Sequence, residues 1–417
     1  MAQLSDDCFA FGGALLGVEA AREMIFERVQ PVAGIETVPL RRALGRTLAQ
    51  DIAAPINVPG YDNSAVDGYA VRFDDLHSDR TTTLRCVDRI AAGHDPSAAL
   101  SRGEAARIFT GAMLPKGADV VIMQEDCERE GDNVTIRPGI KRGANTRQAG
   151  EDVPLGSTAL TAGRRLQAAD LGLLAALGFA ELPVRRKLSV ALFSTGDEVR
   201  EPGEALQRGQ IHDANRYILA GLLEGLGVEV SDRGIVRDDP ASLSEALQKA
   251  AAESDLIITS GGVSTGEEDH VRTAIANHGS LYFWRLAIKP GRPVAMGQVG
   301  ATPLAGLPGN PVAALLTFAL VARPMIEALC ATTPHIAQRF AVLSDFAYKK
   351  RQGRREYVRV SLDRPAAGLA RATRYRKEGA GMLTSLTETD GLVELPEDMT
   401  RLETGTEVGF LPYNQLI

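Results

Sequence analysis

Ser260-Gly-Gly-Val-Ser-Thr-Gly-Glu-Glu-Asp269 follows without a break on Asp255-Leu-Ile-Ile-Thr259. The earlier run is short, apolar and rich in β-branched residues, which predicts a strand buried on both faces. The glycine and serine loop then begins where that strand ends. In an open parallel sheet the ligand crevice lies beyond the carboxyl ends of the strands, so this loop is placed to bind. Glycine lets backbone N–H groups come close to a phosphate, and a helix start behind the loop adds positive potential. By itself a Gly-Gly pair reads equally well as a tight turn.

Working outward, Leu188-Ser-Val-Ala-Leu-Phe193 is a second buried strand, ending in a second such loop, Ser194-Thr-Gly-Asp-Glu198. Arg216–Leu226 predicts a helix, Val228–Ile235 a strand and Leu243–Ala252 another helix. Strands alternating with helices make βα units on a parallel sheet, and both loops should then face one site. Pro311–Leu329 predicts a long apolar helix closing this α/β domain, with Pro311 suited to its first turn.

Several carboxylates follow the strands: Asp197, Glu198, Asp238, Glu267, Glu268 and Asp269. Mg²⁺ would reconcile carboxylates with a phosphate site, because it takes a few carboxylates together with phosphate oxygens and water. Glu267 and Glu268 read first as acids favoured in the opening turn of a helix. Leu286-Ala-Ile-Lys-Pro-Gly-Arg-Pro293 puts Lys289 between an apolar strand and a Pro-Gly turn, flanked by Arg285 and Arg292. That cluster suits a small oxyanion.

Farther out, Val18, Ala21, Ile25 and Val29 recur at helical spacing, which predicts an amphipathic helix over 15–30 docked on something larger. Residues 53–150 change to short β-prone runs, at 82–87, 120–123 and 133–136, separated by turns. A helix is expected over 168–178. After His335 β signals return, in Arg354-Arg-Glu-Tyr-Val-Arg359 and Glu407-Val-Gly-Phe-Leu411.

The 417 residues exceed what one core usually organises, and the net charge of −7 carries no polybasic tail, which argues against a nucleic-acid surface. Cys8, Cys86, Cys127 and Cys330 form no Cys-x-x-Cys pair, and the six histidines show no metal-ligand spacing. No apolar run approaches membrane-spanning length and no signal peptide is visible. A cytoplasmic protein away from membranes is expected.

The motifs in their order resemble the molybdopterin molybdenumtransferase family, which includes the C-terminal domain of gephyrin. The matching stretches are Pro59–Ala70 (with Val66 where the family has Met), Arg107–Ala112, Gly150–Asp152, Phe193–Glu198, Gly209–Ile211 with Asp213–Arg216, Arg237–Asp239, Ser260–Asp269, Leu286–Pro293 and Gly306–Pro311. The resemblance implies a multidomain α/β plus β fold. Its parts would be the N-terminal helix and first part of a linker domain (1–55), a mostly β insert (56–147) and the second part of the linker (148–185). A molybdopterin-binding α/β domain with a parallel sheet (186–334) and a C-terminal β barrel (335–417) would follow.

It also implies a homodimer whose cleft lies between the α/β and barrel domains of one subunit and the insert of the other. Asp67, Asp152, Glu198, Asp238, Asp269 and Lys289 would carry the chemistry, with Asp238 and Asp269 on Mg²⁺. Thr110, Ser260, Gly261, Gly262, Ser264, Arg285, Pro290, Pro308 and Arg359 would bind the substrates, adenylyl-molybdopterin and molybdate. The implied reaction cleaves the adenylate, leaves molybdenum on the dithiolene and releases AMP. A transient contact with molybdopterin adenylyltransferase is implied as well.

Besides Val66, three departures from the family pattern matter. Many members have Lys at Arg285 and Ser at Ala313 and Ala380, and both serines help to hold molybdate, so Thr384 or Ser385 would have to substitute. Two other functions are weighed against this one: a protein-binding scaffold, and the adenylating enzyme, which shares the Ser-Gly-Gly α/β domain but lacks Pro59–Ala70 and a C-terminal domain.

Overall fold

The computed structural model describes residues 15–262, 274 and 277–416. Cys8, Ser264, Glu267, Glu268 and Asp269 lie outside the described residues.

A six-stranded sheet carries the predicted βα units. Its order is Glu229–Val236, Ser189–Thr195, Leu256–Ser260, Thr302–Leu307, Pro293–Val299, Gly279–Arg285. The first four strands are parallel, Pro293–Val299 runs against them, and Gly279–Arg285, antiparallel to that strand, runs with them again, so the sheet is mixed. The reason is local. Val299 pairs with Thr302 across Gly300-Ala301, with Gly300 at φ 59°, and a two-residue loop joins only antiparallel strands.

Along Leu256–Ser260 every residue is buried, as its apolar run predicts. Alternate side chains enter opposite cores. Leu192 and Ile258 pack with Leu219, Leu223, Leu316 and Phe318 on one face. Ala191, Phe193 and Ile257 pack with Leu243, Leu247 and Ala250 of the helix Pro240–Glu253 on the other. The helix Val18–Arg28 buries Val18, Ala21 and Ile25, and Val29 follows in the same core, against Met325 and Leu329.

Pro311–Leu329 is helical as expected but not uniformly α. Phe318–Ala322 is a π segment between the α-helices Pro311–Thr317 and Arg323–Leu329. Pro324 lacks an N–H, which removes one rung of the ladder at this junction. This helix also corrects one expectation: its 19 residues, at a mean hydropathy of 1.8, do reach membrane-spanning length. It is nonetheless a core helix, 89% buried, with Arg323 Nε donating to Glu327 Oε1 at 2.9 Å inside it.

Strand pairing brings distant segments together. Ile35–Pro39 pairs with Glu181–Arg185, and Ile52–Ala53 with Thr158–Leu160. The chain between them carries a second six-stranded sheet, ordered Val120–Met123, Gly68–Val71, Glu104–Ile108, Thr82–Ile90, Asn133–Ile136, Cys127–Glu130.

The C-terminal strands close into a barrel. Arg355–Asp363, Arg371–Arg374, Phe340–Ser344, Glu407–Pro412 and Gly391–Leu395 run in a ring, and the last pairs back onto the first. Ile288–Lys289, arriving from the α/β sheet, adds outside this ring, parallel to Arg355-Glu356.

Candidate active site

Two cavities lie side by side where the α/β sheet meets the barrel. The first, of about 610 Å³, is walled by Ser194-Thr-Gly196 and Ser260-Gly-Gly262, the two loops read from the sequence, with Pro308 from a third strand end. Glu198 and Asp238 also line it. Gly261 has φ +93°, and a Cβ there would sit 2.5 Å from the Thr195 carbonyl oxygen. Glycine is therefore required on two counts, backbone conformation and the close approach of two loops.

Asn215 ties these loops together. Its Nδ2 donates to Ser260 Oγ at 2.8 Å and to the Gly309 carbonyl at 2.9 Å. The carbonyl fixes which end of the amide is nitrogen. Ser194 Oγ, Thr195 Oγ1 and Asn215 Oδ1 are buried without a protein partner among the described residues. Such atoms are costly unless bonded, and their clustering around this cavity marks it as built for a polar ligand. Beneath Asn215, buried Arg216 bonds Asp213, Asp232 and Glu201, pinning the start of this helix.

The second cavity, of about 450 Å³, is cationic. Lys289, Arg359, Arg374 and Lys377 line it together with Pro290 and Ala380. Lys289 Nζ donates to Tyr348 Oη at 3.1 Å and lies 3.3 Å from Glu356 Oε2. Burial pulls its pKa down, but Tyr348 and Glu356 outweigh burial and hold it above the usual lysine value. Burial likewise pushes Glu356 up, and hydrogen bonds from Tyr348 and Arg354 hold it below the usual carboxylate range. Arg359 Nη1 donates to the Gly379 carbonyl at 2.8 Å and to Ser385 Oγ at 2.7 Å.

A single loop separates the two cavities. Gly379 and Ala380 face the cationic one, Gly381 and Leu383 the other. The Ala380 carbonyl accepts from Val312 N at 3.0 Å, at the start of the apolar helix.

Of the residues singled out in the sequence, the fold gathers Glu198, Asp238, Ser260, Gly261, Gly262 and Pro308 at one cavity and Lys289, Pro290 and Arg359 at the other. Arg285 is exposed and lines neither. Asp67 and Thr110 sit together in the insert, where Asp67 Oδ1 accepts from Thr110 N and Oγ1, both at 2.8 Å. Those two bonds keep the Asp67 carboxyl below its usual range. Asp152 is placed by its backbone N–H on the Val58 carbonyl. None of these three lines either cavity within this chain.

Ser264 and Asp269 lie outside the described residues, and among those described no three His, Cys, Asp or Glu converge on one point. Ser385 donates its proton to the Met382 carbonyl, so its hydroxyl supports Arg359, and Thr384 Oγ1 meets Tyr375 Oη at 2.8 Å.

Sequence reasoning missed Glu356, Tyr348 and Asn215 as site residues. Glu356 is 1% exposed. In sequence it is one acid in a charged β run, and only the pairing of Ile288–Lys289 with that run shows its partner. Asn215 left a weak signal in Asp213-Ala-Asn-Arg216, polar residues clustered at a helix start.

A parallel-strand crevice with a glycine-lined polar pocket, opening beside a cationic pocket on a barrel, defines a class of α/β proteins that bind a polar, anionic small molecule at the strand ends. Residues 16–178 match the MoeA N-terminal region (domain I and II), 191–328 a probable molybdopterin binding domain, and 341–413 the MoeA C-terminal region (domain IV).

The molybdopterin molybdenumtransferase of Haemophilus influenzae is 37% identical over 97% of this chain and 100% of its own length. Molybdopterin molybdenumtransferase 2 of Mycobacterium tuberculosis is 38% identical over 89% of this chain and 93% of its own. The crystal structure of the molybdopterin biosynthesis MoeA protein of Pyrococcus horikoshii superposes with a TM-score of 0.81 at 30% identity, covering 96% of this chain and 100% of that one.

The chain belongs to the molybdopterin molybdenumtransferase family, transferases of molybdenum cofactor biosynthesis. The matches on both sides of the α/β domain set aside the adenylating enzyme.

Proposed function

We propose that this chain inserts molybdenum from molybdate into adenylyl-molybdopterin, with Mg²⁺-assisted cleavage of the adenylate and release of AMP. The observation that carries this reading is the pair of cavities sharing the 379–383 loop, one offering polar groups and glycine backbone, the other four cationic side chains. A ligand with a pterin end and an anionic end spans them, and molybdate meets it at the cationic side.

In this reading Ser260, Gly261, Gly262 and Pro308 seat the pterin, and Ser264, outside the described residues, is assigned the same role. Lys289 and Arg359 hold the oxyanion, beside Pro290, whereas Arg285, which lines neither cavity, has no part in this reading. Glu198 orients the substrate from the rim. Asp238 and Asp269 are the residues that would hold Mg²⁺. Asp238 lines the glycine-loop cavity with Glu198 nearby on the same wall, and that sparse acid set fits an ion which takes one or two carboxylates and fills its shell with phosphate oxygens and water. When bound it would neutralise charge on the phosphoanhydride as AMP leaves. Fixed positive groups around a reacting anion act by electrostatic positioning.

Asp67, Thr110 and Asp152, remote from both cavities in one chain, are proposed to reach the cleft of a second copy in a homodimer. A soluble, cytoplasmic enzyme that meets molybdopterin adenylyltransferase transiently would receive its labile substrate directly. Purified protein incubated with adenylyl-molybdopterin, molybdate and Mg²⁺ should release AMP in step with molybdenum incorporation. AMP release indifferent to molybdate, or none, would overturn the proposal.

A further inference from the structure

Glu356 is the most deeply buried charged group at the cationic cavity, at 1% exposure, and its two oxygens are bonded by three neighbours. Oε1 accepts from Arg354 Nε at 2.7 Å, and Oε2 accepts from Tyr348 Oη at 2.8 Å while lying 3.3 Å from Lys289 Nζ. A carboxylate taken from water is tolerated only when paired in this way.

The chemistry of the donors fixes the direction of each bond. Tyrosine has one hydroxyl proton; given to Glu356, it leaves the Tyr348 oxygen able only to accept, and it accepts from Lys289 at 3.1 Å. An ammonium has three protons. One is donated to Tyr348 and the charge faces Glu356 Oε2, which leaves N–H for the cavity, into which the lysine opens with 44% of its side chain exposed. The ring of Tyr348 also lies under Lys289 Nζ and Arg374, at 5.6 and 5.2 Å from its centroid.

We propose that Glu356, with Tyr348 as its intermediary, is the positioning residue for Lys289. It holds the ammonium charged and directs its remaining N–H at the oxyanion. The inference rests on the cationic cavity being the molybdate end of the site. The position follows from strand pairing, since Lys289 stands opposite Glu356 in the parallel register of Ile288–Lys289 with the barrel. Around Lys289 the other charged groups are Arg354 behind Glu356, and Arg359, Arg374, Lys377 and Glu378 across the cavity. Tyr375 also lines the cavity, whereas the Tyr357 phenol faces Arg355 and Glu394. Glu378 is engaged by Arg374, so Glu356 is the acid that faces Lys289 directly.

The test compares wild type, Glu356→Gln, Tyr348→Phe, Lys289→Met and the double variant Glu356→Gln/Lys289→Met. Molybdate-dependent AMP release is measured against pH, alongside labelling of Lys289 by an amine-selective reagent read by mass spectrometry. Glu356→Gln should raise the KM for molybdate about tenfold, more than it lowers kcat. It should also move the alkaline limb and the labelling midpoint of Lys289 down by about one pH unit. Tyr348→Phe, which keeps the direct Glu356 contact, should fall between.

In the Lys289→Met background, where turnover is lost and no Lys289 remains to label, molybdate affinity is read by equilibrium dialysis, and there the Glu356→Gln change should add little. A folded Glu356→Gln protein with wild-type KM and labelling, or with an equal penalty in the absence of Lys289, would overturn the inference. Absence of molybdate-dependent release in the wild type would instead overturn the functional reading, while the Lys289 labelling profile would still decide whether Glu356 holds the lysine.

Discussion

Lys289→Ala should abolish molybdenum insertion while leaving the fold intact, because Glu356 retains its bonds to Arg354 and Tyr348. Wild-type AMP release by a folded Lys289→Ala protein would remove this residue from the site. Gly261→Ala acts differently. Its φ of +93° and the 2.5 Å approach to the Thr195 carbonyl leave no room for a Cβ, so about 2–3 kcal/mol of stability should be lost. Thermal unfolding and molybdopterin binding measured together would show both changes; a variant with unaltered melting would contradict the close approach.

At this scale the sequence showed the backbone requirement, since the Gly-Gly pair after a buried strand is visible in the residues. Lys289 was visible too, because Pro-Gly beside a lone lysine is an unusual strand end. Glu356 and Tyr348 were not, since what distinguishes them is burial against a segment far away in the chain.

The strands Ser189–Thr195 and Leu256–Ser260 are fastened at their outer ends by Asp255. Its two oxygens take both arms of Arg186 at 2.7 Å, and Oδ2 also accepts from Ser189 N at 2.9 Å. Burial pushes the Asp255 carboxyl up, and the Arg186 and Ser189 bonds carry it below its usual value. A depressed pKa contributes stability that is present above the unfolded value, near pH 3.9, and is lost as pH falls through the lower folded value.

Asp255→Asn should therefore cost about 1–2 kcal/mol at neutral pH, discounted for the partly exposed arginine. In denaturant unfolding the gap from wild type should close as pH drops below about 4. A gap independent of pH would mean the pair contributes by packing alone.

Element existence was well marked in this region, because periodicity and apolar runs follow burial directly. Strand direction was not: the antiparallel edge depends on a two-residue turn at Gly300-Ala301. The π segment at Phe318–Ala322 was equally hidden, although Pro324 marked where the helix would be disturbed.

Across the whole molecule, the proposed cleft has a testable division of labour. Asp67 and Thr110 in the insert meet neither cavity of their own chain. If a second copy supplies them, Asp67→Ala and Lys289→Ala proteins, each inactive alone, should complement when co-folded. Random pairing makes half the dimers mixed, each with one intact cleft of two, so about a quarter of wild-type activity should return. No recovery from verified mixed dimers would place Asp67 with its own chain's site.

The order of the motifs made the overall architecture legible, whereas the company kept by residues from separate domains required the fold. Ile288–Lys289 shows this most plainly. By chain position it belongs with the α/β sheet, yet its hydrogen bonds are to the barrel strand Arg355–Asp363. Anyone building chimaeras between relatives would cut at the connector near residue 335, and that cut would part Lys289 from the strand and the carboxylate it was matched to. A transplantable barrel has to bring its own version of Leu286–Gly291 with it.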